Sequence, residues 1–184
     1  MLPTLIVVGL VALVAVWVIG LYNRLVRLRN RAEEAWAQID VQLRRRHDLI
    51  PNLVETVKGY AEHERGVFEA VTEARSRAVA AGGVKEQAQA EGMLTSALRS
   101  LFAVAEAYPQ LQADQNFREL QAELTRTEDM VAGSRAGYNA AVREYDTARE
   151  VFPTNIVAGA FNFAPREYFE VDDPEARDPV RVEF

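Results

Sequence analysis

His47 and His63 are the only imidazoles in the 184 residues, and there is no cysteine. That inventory excludes disulfides, thiolate zinc sites and cysteine nucleophiles. It leaves little from which to build a metal site or a general base. No Gly-rich phosphate loop, GxGxxG, GxSxG or HExxH pattern occurs. A helical bundle can hold two iron ions with Glu from two helices and Glu-x-x-His from two others. The residue three before His47 is Arg44 and that three before His63 is Tyr60, so neither fits. Glu62, His63 and Glu64 form a charged cluster that a solvated helix face explains. The expectation is a non-enzyme with no cofactor, no metal and no catalytic residue.

The remaining residues with pronounced chemistry are arginines. Arg24, Arg27, Arg29 and Arg31 follow a stretch of 23 residues without a charged side chain, and Arg44-Arg45-Arg46 form a triplet. Residues 24–47 carry a net charge of +4 and residues 48–184 carry −10, within a total of −6. An acidic chain of this kind is not coated for nucleic acid. The triplet reads first as compensation of a helix C-terminus. The sharper reading makes Arg44, Arg45 and Arg46 a docking point for an acidic partner or for an acidic face of another copy.

The elements that position these charges begin with residues 2–22, an uncharged run of 21 residues ending in Tyr22. About 20 apolar residues cross a hydrocarbon core as a helix. A cleaved signal would want a basic start, a shorter apolar stretch and a small-residue cleavage site. Nothing basic precedes this run, and Ala12 and Ala15 lie in its middle. Residues 1–23 are therefore expected to be a retained single-pass anchor in a lipid bilayer. The four flanking arginines put the N-terminus outside and the rest inside, and would also meet anionic headgroups.

Beyond the anchor, composition favours helix: alanine occurs 28 times, against 10 glycines and 7 prolines. Apolar residues at helical spacing mark segments of about 24–48, 51–81, 84–108 and 116–152. Pro51 suits a first turn, Gly82-Gly83 a stop and Pro109 an end. Asn116 and Glu119 have capping-box spacing. The stripe Phe117, Leu120, Leu124, Thr127, Val131, Ser134, Tyr138, Ala141, Tyr145, Ala148 and Phe152 alternates steps of three and four, a heptad-type seam. Gly59, Gly66, Gly133 and Gly137 within helices suggest close backbone approach, inside the bundle or between copies. The fold expected is all-α: a transmembrane helix continuing into a long antiparallel four-helix bundle over 24–152, with an irregular C-terminal tail over 153–184.

Short connections make neighbouring helices antiparallel. A turn at residues 49 and 50 would pair Arg44 with Glu55, Asp40 with Lys58 and Glu34 with Arg65. The same register puts His63 beside Trp36, roughly 16 Å along the axis from His47. It also returns Phe152 to the bilayer surface. The following apolar segment 156–163, with Ile156, Val157, Phe161 and Phe163, is too short to span. It either packs on the open end of the bundle or lies among the headgroups. Pro165, Pro174 and Pro179 punctuate the polar tail beyond it.

Several motifs together resemble the LemA family. They are Trp36-Ala-Gln-Ile-Asp40, Arg46-His-Asp-Leu-Ile-Pro-Asn-Leu53, Val57-Lys-Gly-Tyr60 with His63-Glu64, Ala105-Glu-Ala-Tyr-Pro109, Asn116-Phe117, Tyr138-Asn139 and Phe152-Pro153. The chain departs from the family pattern at His47, Gln112 and Asp146, none of which is expected to touch the architecture. The resemblance implies a bacterial inner-membrane protein with an antiparallel helical bundle in the cytoplasm, and some relatives take part in magnetosome biogenesis. It implies no general biochemical activity. Two functions follow as expectations: a homo-oligomeric scaffold at the cytoplasmic face, or a monomeric or dimeric adaptor that regulates another protein.

Overall fold

The computed structural model describes residues 2–170. Regular structure among the described residues is helical throughout: α1 (Leu2–Lys58), α2 (Arg65–Ala80), α3 (Val84–Glu106), α4 (Pro109–Ala113), α5 (Gln115–Glu150) and α6 (Thr154–Ala160). The all-α expectation and the long apolar N-terminal helix are both observed. Two compact units make up the chain, one of residues 2–38 with 134–167 and one of 39–133 with 168–170. Pro174 and Pro179 lie outside the described residues.

α1 runs for 57 residues with Pro51 inside it. The expected break at residues 49 and 50, with segments 24–48 and 51–81, is thereby corrected. A proline within a helix deprives the carbonyl four residues earlier of its donor. Here that carbonyl belongs to His47, and the Arg75 Nε–H donates to it at 2.7 Å. The replacement bond lets the helix pass through Pro51. The turn lies instead at residues 59–64, where the Tyr60 and Ala61 amides both donate to the Val57 carbonyl at 3.0 Å and Ala61 is buried. Gly59 and the Glu62, His63, Glu64 cluster therefore sit in this turn and not on a helix face. The three cross-hairpin pairs disappear with the old register: Arg44 bonds Asp40 at 2.7 Å and Lys58 bonds Glu55 at 2.9 Å, each along α1 itself.

In the second unit, one core gathers Ile50, Leu53, Val54 and Val57 from α1 with Phe68 and Val71 from α2. Leu94, Leu98 and Leu101 from α3, Leu111 from α4, and Phe117 and Leu124 from α5 complete it. Each such side chain removed from water contributes about 1.5–3 kcal/mol. α5 starts at a different cap from the one expected at Asn116. The Asp114 Oδ1 accepts from the Phe117 amide at 2.9 Å, and its Oδ2 accepts from the Tyr60 hydroxyl at 3.0 Å. One carboxylate thus closes both the 59–64 turn and the start of α5.

In the first unit, Leu25 and Leu28 of α1 pack with Tyr145 and Ala148 of α5 and with Val157, Ala158 and Phe163. The expected seam of α5 is largely internal, with Tyr138, Ala141, Tyr145 and Ala148 buried. Its last member, Phe152, is 79% exposed, beyond the end of the helix. The start of the tail is also more regular than expected, because Thr154–Ala160 forms α6. Asn162 closes α6 with a φ of 54°, a left-handed conformation that Asn tolerates. The Phe163 amide then donates to the Ala158 carbonyl at 2.9 Å, which is the six-to-one bond of a Schellman cap.

Candidate functional site

Three consecutive helical residues cannot share one face, because each is rotated by about 100° from the last. Arg44, Arg45 and Arg46 accordingly go three ways. Arg44 stays exposed and pairs with Asp40 on its own helix. Arg45 pairs with Glu123 of α5. Arg46 is buried, donating to Glu91 Oε2 at 2.9 Å and to Thr95 Oγ1 at 3.1 Å. The triplet is thus not a common docking point, since Arg46 faces the interior of the second unit.

Glu91 is the centre of a buried polar network. Its Oε1 lies 2.7 Å from His47 Nε2 and accepts from Gln87 Nε2 at 3.0 Å. Gln87 also donates to the Ala78 carbonyl at 3.0 Å. Arg46, His47, Gln87 and Glu91 are all at least nine-tenths buried. With both carboxylate oxygens engaged, this arrangement ties α1 and α3 to the end of α2, so His47, expected not to touch the architecture, is part of it. Among the described residues, no three His, Asp or Glu side chains are grouped to hold a metal ion. An open cleft of about 590 Å³ elsewhere in this unit is lined by Leu49, Asn52, Thr56, Asn116, Glu119 and Leu120 among others, without a histidine.

Asp114 has an altered titration that follows from its contacts. The Phe117 amide first, and the Tyr60 hydroxyl second, hold its carboxyl below the usual carboxylate range. The same contact pushes the Tyr60 hydroxyl up.

The first unit brings together the other candidate residues. Residues 2–17 of α1 are exposed around the whole helix, and their most apolar stretch has a mean hydropathy of 2.8. After this run Arg24 and Arg27 are exposed. Arg29 is partly buried, with its guanidinium 5.7 Å from the centre of the Phe163 ring. Arg31 pairs with Glu144 at 3.0 Å. The four flanking arginines therefore divide into two open to their surroundings and two engaged with the protein.

The segment 156–163 divides in the same way. Val157 and Phe163 are buried against α1 and α5, whereas Ile156 is 63% and Phe161 is 56% exposed. The Tyr22 ring lies 4.9 Å from that of Phe161 and 5.5 Å from that of Phe163. The chain after α6 is fixed by two tyrosines of α5. Tyr145 donates to the Ala164 carbonyl at 2.8 Å and Tyr138 to the Glu167 carbonyl at 2.7 Å. Burial pushes both hydroxyls above their ordinary range.

Glu91, Gln87 and Arg75 carry much of the second unit's polar structure, and sequence reasoning did not single them out. The signal for Arg75 was Pro51 itself, whose missing amide requires a donor for the His47 carbonyl. Glu91 stands at a position that the apolar stripe of α3 would assign inward. Comparison with known proteins gives a consistent relationship. A family model described as the LemA family matches residues 35–184. Magnetosome protein MamQ 2 of Paramagnetospirillum magneticum is 26% identical, over 86% of this chain and 68% of that protein. Magnetosome protein MamQ of Magnetospirillum gryphiswaldense is 25% identical with the same coverage. Protein LemA of Metamycoplasma hominis is 22% identical, over 87% of this chain and 74% of that protein. With the family model covering all but the first 34 residues, the chain belongs to the LemA family.

Proposed function

We propose that this protein is a non-enzymatic scaffold of the bacterial inner membrane. Residues 2–22 anchor it with the N-terminus outside, and the helical part forms an antiparallel four-helix bundle in the cytoplasm, where copies self-associate. The observation that carries this reading is the fully exposed apolar stretch of α1, which continues as one helix into the family domain. An apolar surface of that length is disfavoured in water and matches the thickness of a hydrocarbon core. Arg24 and Arg27, open to their surroundings just past the run, support the orientation.

Self-association draws on α5. Gly133 and Gly137 lie one turn apart, and a Cβ added at either meets nothing within 4 Å. Each glycine costs roughly 1 kcal/mol against alanine in a helix. No packing among the described residues uses their small size. A neighbouring copy whose backbone approaches α5 closely would use it. Two of the relatives are magnetosome proteins by name, which supports a structural role.

Light scattering after size exclusion tests the proposal, with the full-length protein in mild detergent beside a chain starting at Tyr22. The scaffold requires a defined mass of many protomers for the full-length chain. A monomer or dimer in both cases would contradict it and favour the adaptor, for which the cleft between α1 and α5 supplies a surface.

A further inference from the structure

We infer that the outward face of α6 is a second membrane contact, a foot that rests in the headgroup layer of the bilayer crossed by α1. The inference relies on α1 spanning that bilayer. Phe152, Ile156 and Phe161 are 79%, 63% and 56% exposed, while Val157, Ala158 and Phe163 on the other side belong to the core of the first unit. An apolar residue set so divided, inward and outward, has one covered face and one that needs a second apolar surface.

The position of α6 identifies that surface. Val18 and Leu21 of the apolar run pack against the cluster that holds Val157, Ala158 and Phe163. Tyr22, the last residue of the run, meets the Phe161 ring edge-on with centroids 4.9 Å apart. Tyr at the end of a spanning helix sits at the level of the headgroups. Interfacial apolar faces are buried about 5–10 Å into that boundary, so a ring one contact away from Tyr22 lies at the same depth. The charges around the foot agree with it. Arg24 and Arg27 are exposed on the adjoining turns of α1, and the nearby Glu150 is paired with Arg149 at 2.8 Å. α6 thereby fixes the first unit against the bilayer at two points instead of one, which limits the tilt of α1.

The chain has no cysteine, so single Cys variants of the full-length protein can carry an environment-sensitive fluorophore without further changes. The variants are Ile156→Cys, Phe161→Cys, Leu10→Cys within the apolar run, and Gln38→Cys as the aqueous reference. Gln38 is exposed on α1, about 24 Å along the helix axis beyond Tyr22 at 1.5 Å per residue. The proteins are reconstituted in phosphatidylcholine–phosphatidylglycerol vesicles with nitroxide-headgroup lipid. The expected result is blue-shifted emission at 156 and 161 and quenching several-fold stronger than at 38, with Leu10→Cys blue-shifted as well. Labels at 156 and 161 that behave like that at 38, while 10 is in lipid, would overturn the inference and leave the anchor intact. Blue-shifted labels at 156 and 161 that the nitroxide lipid does not quench would also overturn it, because a protein surface would then cover the foot. A water-like label at 10 would overturn the anchor and the foot together.

Discussion

Arg75 gives its Nε–H to the carbonyl that Pro51 leaves without a donor. A local defect in one helix is thus mended by a side chain 28 residues away. Removing that donor leaves a helix carbonyl unpaired, at a cost of about 1–3 kcal/mol. An Arg75→Ala variant is expected to lose that much stability in urea unfolding followed by circular dichroism in mild detergent. Combined with Pro51→Ala, which restores an amide for the same carbonyl, most of the loss should vanish. An equal loss in both backgrounds would show that Arg75 stabilises through other contacts. Glu91 is a second case. Its removal strands Arg46 and His47 in the interior, and breaking a buried pair costs about 3–5 kcal/mol. Glu91→Ala should therefore unfold at far lower urea, and adding Arg46→Met should recover part of the loss, both read by the same assay. The sequence did not make either network legible, because helical periodicity identifies which face is buried but not which polar groups on that face find each other. Arg46, taken from the sequence as one of three surface charges, turned out to be an interior one for this reason.

At the level of elements, the stripes of α1, α3 and α5 were readable, since Leu25, Leu28, Ile39, Leu94, Leu98, Leu101, Tyr138 and Tyr145 fall at helical spacing and are buried. The boundary between α1 and α2 was not. Proline ends a helix unless a tertiary donor intervenes, and a tertiary donor is invisible to local rules. The start of α5 was misplaced by two residues because Asp114 caps it without the expected partner at the third helical position. The segment after α5 shows how elements hold one another: α6 is trapped between α1 and α5, and the chain beyond it is fastened by hydroxyls of Tyr138 and Tyr145. Burial raises the pKa of both hydroxyls above the ordinary value of about 10. A group whose folded pKa is raised stabilises fully below its unfolded pKa and ceases to do so as pH climbs through the folded value. The first unit should thus lose stability above about pH 10. Tyr145→Phe should cost about 0.5–1.5 kcal/mol at neutral pH through the lost bond to the Ala164 carbonyl, and the alkaline decline in thermal unfolding should become shallower. A decline as steep in the variant as in the parent would assign the alkaline sensitivity to other groups.

For the whole molecule, one continuous helix links an apolar stretch, long enough to cross a bilayer, to the family domain. Glu91, His47, Asp114 and Tyr60 are all engaged with neighbouring protein groups and tie helices and turns together. The long apolar N-terminal helix was legible from charge and length alone, and the family from its motifs. The proposed assembly has no sequence signal of its own, because a helix face that meets another copy looks in sequence like any exposed face of small residues. The most direct test of the proposed assembly uses the exposed glycines of α5, Gly133 and Gly137, in the full-length protein in its membranes. In a chain with no other cysteine, Gly137→Cys can form no disulfide within its own chain, so a crosslinked band of twice the chain's mass reports a second copy. Nothing within 4 Å of the new Cβ opposes the substitution. Mild oxidation of membranes containing this variant is predicted to give a covalent dimer, while Gln38→Cys, on α1 and away from these glycines, gives little. A Gly137→Cys protein that stays monomeric under oxidation, with its thiol still open to maleimide, would contradict the scaffold.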